Sequence, residues 1–127
     1  MSSRKVAQER ARSLALAQGL YFGLTGLWPI LHLRSFEAVT GPKPEGWLVK
    51  TVGGLLVAIG VGLSASSRRR RVARESALIA AASAAALAVV DVWYAGVRRR
   101  ISPVYLADAP VEAAVFASWV AVRRGLG

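Results

Sequence analysis

The chain alternates long apolar stretches with short polar breaks. The first apolar run, about Ser13 to Leu33 (SLALAQGLYFGLTGLWPILHL), holds no formal charge over some twenty residues. At about 1.5 Å of rise per residue, a helix of this length crosses the ~30 Å hydrocarbon core of a bilayer. Pro29 near its end predicts a kinked or frayed last turn. The stretch Arg34–Gly46 follows, and Gly41, Pro42, Pro44 and Gly46 mark it as a loop. A second apolar run spans about Trp47 to Ser64, with Lys50 close enough to its start for the long stem to reach the interface. The loop Ala65–Glu75 is rich in arginine. The third run, about Ser76 to Val97, contains Asp91 as its only charge, and Arg98–Arg100 stop it. Ser102 and Pro103 then open a fourth run, to about Val122. This fourth run is the weakest span, because Asp108 and Glu112 lie inside it and Pro110 is expected to interrupt it; an interfacial amphipathic helix is its alternative. The pattern predicts an all-α, transmembrane four-helix bundle, with residues 1–127 as a single domain.

Composition sharpens this picture. The 127 residues are 54% hydrophobic, yet they include 17 Lys and Arg and carry a formal net charge of +10. The charges cluster between the apolar runs, as expected where a charge at the bilayer centre costs at least ~2.5–3.5 kcal/mol. Basic runs at helix ends face anionic headgroups. They lack the interleaved aromatics of a nucleic-acid surface, so no nucleic-acid partner is expected. The expected partners are membrane lipids, together with a membrane-protein partner or a second copy of the chain. There is no cysteine, which excludes disulfides and thiolate sites. The first twelve residues are polar and the first apolar run is too long for a signal peptide, so that run reads as a retained helix. With the N-terminus inside, eleven Lys and Arg fall on inner segments and five on outer ones. Positive-inside therefore favours a multi-pass protein of the bacterial inner membrane with both termini cytoplasmic. The run Arg98–Arg100 is then on the disfavoured side.

In this topology the unusual residues share one end: Trp28 and His32, Trp47 and Lys50, Asp91 with Trp93 and Tyr94, and Tyr105 with Asp108 and Glu112. Tryptophans and tyrosines there fit an interfacial belt, with Trp119 as the expected anchor at the opposite face. The acids fit it less well. Asp108 and Glu112 are four residues apart, so they share a helix face with Tyr105 and Trp119. Lys50, Asp91, Tyr94, Tyr105, Asp108, Glu112 and His32 are thus the candidate polar pocket or ion-pair network, with Lys50 and Arg98–Arg100 as the cations. Three readings stay open: ion pairs that lock helices together, a ligand pocket opening outward, and a proton or cation relay. For the relay, Gln18 alone is a poor second step. No motif points to a catalytic group, a cofactor or a metal site, and the lone His32 lacks companion ligands. The leading expectation is a non-enzymatic accessory subunit or binding module with a polar pocket at the outer face. A small proton- or cation-coupled transporter or channel, as a dimer, is the alternative. For packing, small residues are expected at Gly19 and Gly23, at Ala58 and Gly62, along Ala80–Ala86, and at Ala109, Ala113, Ala117 and Ala121.

The stretches GLYFGLTGLWPILHLRSFEAVTGPK and RRRISPVYLADAPVEAAVFASW resemble segments of small four-helix bacterial membrane proteins to which no activity is attached. The resemblance implies the fold and carries no functional residue with it. The sequence departs from the small multidrug transporters, having no embedded glutamate in its first helix, and from the fluoride channels, lacking their Asn and Phe-Ser-Thr motifs.

Overall fold

The computed structural model describes residues 3–42, 45–97 and 104–126. Helix α1 spans Ser3–Leu31, α2 Leu33–Thr40, α3 Gly46–Ser66, α4 Arg74–Val90 and α5 Tyr105–Leu126. A π-helical segment, Asp91–Val97, continues α4. No strand occurs among the described residues, and the architecture is an all-α bundle. Four helices, Ser3–Leu31, Gly46–Ser66, Arg74–Val97 and Tyr105–Arg123, are long and apolar enough to cross a membrane.

Several boundaries differ from the sequence reading, each for a physical reason. Helix α1 begins ten residues earlier than expected, at Ser3, because its polar start still buries Ala7 and Ala11. Gln8 in this extension accepts a 2.9 Å bond from the Val72 N–H, which pins the arginine-rich loop. The expected loop after α1 contains α2, whose Phe36 and Thr40 are buried. Pro29 lies two residues from the end of α1, where the predicted break does occur, at His32. Pro110, by contrast, does not interrupt α5. It lies in the second turn, where a missing N–H frees only the Leu106 carbonyl.

Helix α1 is the centre of the packing. It meets α3 along most of its length and α5 on another side, while α4 packs mainly on α5. The α1–α3 contact is made by backbone. A Cβ built on Gly60 would lie 2.6 Å from the Gly19 carbonyl and 2.7 Å from the Gly23 nitrogen. One on Gly53 would lie 2.5 Å from the Gly26 carbonyl. Only glycine permits this approach, which in lipid replaces a hydrophobic driving force with close contact. The expected partners on α3, Ala58 and Gly62, are instead exposed. Of the four α5 alanines expected at the interface, Ala109 is buried, and Ala113, Ala117 and Ala121 face outward. A second cluster joins all the long helices near the termini: Ala11, Ala15, Leu63, Val72, Ala77, Ala80 and Trp119. Outside it, Leu24, Leu55, Leu78 and Val89 are 61–68% exposed, an apolar surface compatible with a membrane-spanning bundle.

Candidate functional site

At the end opposite the termini, Trp28, Trp47 and Trp93 are exposed around the bundle and form a rim. The expected aromatic belt is present there. The polar residues expected with it separate into two groups.

One group is peripheral. His32 caps α2: its Nδ1 accepts the Ser35 N–H at 3.1 Å, and the Ser35 hydroxyl also receives the Trp28 indole N–H at 2.8 Å. His32 is exposed and belongs to this local cap, not to a pocket with the acids. Lys50 is exposed on α3, a helix that packs almost wholly on α1 and so is held away from α5. It is not the counter-ion of the acids. Tyr94, in the π segment, is likewise exposed. Arg98–Arg100 lie outside the described residues. Tyr105 is half-buried at the start of α5.

The other group converges inside the bundle. Asp108 and Glu112 project from one face of α5, as their spacing predicts, toward α1 and the end of α4. Tyr21 of α1 donates its hydroxyl hydrogen to Asp108 Oδ1. Asp91 opens the π segment, which packs against α5 on the side of Asp108. Asp91 is 4% exposed and Glu112 1% exposed. Asp91 Oδ2 and both carboxyl oxygens of Glu112 have no hydrogen-bond partner among the described residues. An ionised carboxylate so placed would bear its full desolvation cost with nothing to offset it. The geometry fits a Glu112 that carries a proton, with no cationic partner among the described residues. Asp91 opens a π segment, a helical distortion frequent at functional sites. No three His, Asp or Glu side chains among the described residues are grouped as metal ligands.

Two turns toward the termini lies a second polar contact, one that sequence reasoning missed. Trp119, expected as an interfacial anchor, is 1% exposed. Its indole N–H donates to Gln18 Oε1 at 2.6 Å, and Gln18 Nε2 donates to the Ala80 carbonyl at 2.9 Å. This bridge ties α1, α4 and α5 together and uses the polar atoms it contains. Tyr21 was also missed. Its signal is its place three residues after Gln18, which puts both on one face of α1.

No family model, curated protein or solved structure matches the chain.

Proposed function

We propose that this chain is a small, non-enzymatic membrane binding module that takes up a proton, or a monovalent cation in its place, at Glu112 and the adjoining cluster of Tyr21, Asp108 and Asp91. The observation that carries the reading is the pair of buried Glu112 oxygens with no partner. Intramembrane acids are costly, and a protein retains one without a counter-charge where its protonation or occupancy matters. Access is from the tryptophan rim, where Asp108 and Tyr105 are half-buried. The proposed orientation puts both termini in the cytoplasm of a bacterial inner membrane, with the rim outside, because most of the arginines gather at the termini end.

The Gln18–Trp119 bridge favours binding over through-transport. Its donors and acceptors are engaged with each other and with Ala80, so it closes the polar path on the termini side. A proton- or cation-coupled transporter is the second reading. It is favoured by the same stripe, since Asp108, Glu112 and Trp119 follow one face of α5 from the rim toward the other end.

The test is infrared difference spectroscopy on the protein in liposomes, after a pH step and, separately, after adding sodium or potassium at fixed pH. The expected result is a buried carboxyl band that responds in the wild type and disappears in Glu112→Gln, with the fold retained. A spectrum unchanged by Glu112→Gln would overturn the proposal. Flux measured in the same liposomes separates the two readings, because a binding module shows none.

A further inference from the structure

The lipid-facing side of the α1–α3 contact holds a hollow of about 410 Å³. Its walls are Gly19, Leu20 and Gly23 on α1 and Gly60, Val61 and Ser64 on α3, and it ends at Ala65 and Arg68. It exists because glycines bring the two backbones together and leave no side chains to fill the seam. A Cβ at Gly23 would meet nothing within 4 Å. From Gly60 to Arg68 the hollow extends roughly 12 Å along the helix direction. It thus begins within the apolar span and finishes in the arginine-rich loop.

The polar end of the hollow is organised. Arg12 Nε donates to the Ser67 carbonyl at 2.9 Å, which fastens a second guanidinium to the residue next to Arg68. Arg12, Arg68, Arg69, Arg70 and Arg71 are all exposed at this level. A slot with an apolar wall that ends at Arg68, with Arg12 fastened to the neighbouring Ser67, is complementary to a chain of hydrocarbon ending in a phosphodiester. Guanidinium groups bind phosphate oxygens in a fork that ammonium groups do not offer. A second copy of this chain fits poorly, because its own arginine collar would arrive at the same depth.

We infer that the α1–α3 seam is a binding site for an anionic phospholipid, with one acyl chain along Gly19, Gly23 and Gly60 and the phosphate at Arg68 and Arg12. The site is distinct from the carboxyl cluster and does not depend on the function proposed for it.

The experiment is native mass spectrometry of the full-length protein in mild detergent, titrated with phosphatidylglycerol or with phosphatidylcholine of the same acyl chains. The wild type is expected to retain one phosphatidylglycerol in preference to phosphatidylcholine. Arg68→Ala, in an exposed turn, lowers that preference about fivefold, the scale of one arginine's attraction to an anionic headgroup. Gly23→Leu fills the open slot and removes the bound lipid of either kind. Equal retention of the two lipids by the wild type would overturn the inference. So would an unchanged phosphatidylglycerol adduct in Arg68→Ala, a variant that leaves every helix contact in place.

Discussion

The two faces of α1 hold their neighbours in opposite ways. Toward α3 it presents glycines, and the contact is largely backbone on backbone, with the Ser64 hydroxyl beside Gly19. Toward α4 and α5 it presents Gln18 and Tyr21, and the contact is made by long-range side-chain hydrogen bonds to Ala80, Trp119 and Asp108. The first interface is specified by what is missing and tolerates no addition at Gly19, Gly26, Gly53 or Gly60. The second is specified by polar pairing and is incomplete at Glu112. In a solvent as apolar as the protein interior, these are the two means of holding helices together, and only the incomplete one has chemistry to spare.

Substitutions separate the two faces by both size and sign. Gly60→Leu should have the largest effect. Its first added carbon would already lie 2.6 Å from the Gly19 carbonyl. Overpacking costs about 1–3 kcal/mol where side chains can adjust, and here the obstacle is backbone, so a loss at or above the top of that range is expected. Thermal unfolding in detergent measures it. Glu112→Leu should act in the opposite direction and stabilise by about 1–3 kcal/mol, because it removes a buried polar group that has no partner. Were Glu112 half of an ion pair, the same change would destabilise. Gln18→Leu strands the Trp119 N–H, while the Ala80 carbonyl keeps its bond from the Ser83 hydroxyl, and roughly 1–2 kcal/mol should be lost. The smallest effect belongs to Gly54→Ala, where the added carbon meets open space. It should gain less than about 1 kcal/mol through helix propensity, the reverse of Gly60→Ala on the same helix.

Much of this was legible in the sequence, and what was not has a common cause. The four spans follow from length and charge segregation. The shared face of Asp108, Glu112 and Trp119 follows from helical spacing, and the structure turns that face inward. The rotation of α3 was not legible. Small residues at 53, 54, 58, 60 and 62 surround the helix, and in lipid both its faces are apolar, so no moment indicates the buried side. Hence Ala58 and Gly62 were expected where Gly53 and Gly60 pack. The assumption that acids need nearby cations misplaced Lys50, which remains exposed on α3. Tyr21 and Asp108 are 87 residues apart, and nothing local announces that they meet. Gln18 looked isolated because its partner is an indole, a residue that sequence reading places at the interface. Helix α2 was hidden by the glycines and prolines that follow it.

The sharpest test of an uncompensated, proton-bearing Glu112 is labelling with dicyclohexylcarbodiimide, an apolar reagent that enters the bilayer and adds to protonated carboxyls. Peptide mapping by mass spectrometry then locates the adduct. The expected result is an adduct on Glu112 in folded protein, with Glu9, Glu45 and Glu75, all exposed, left unmodified. An unmodified Glu112 in protein that melts cooperatively would mean that the group is ionised and paired, and would contradict the reading of this bundle as a proton-binding module.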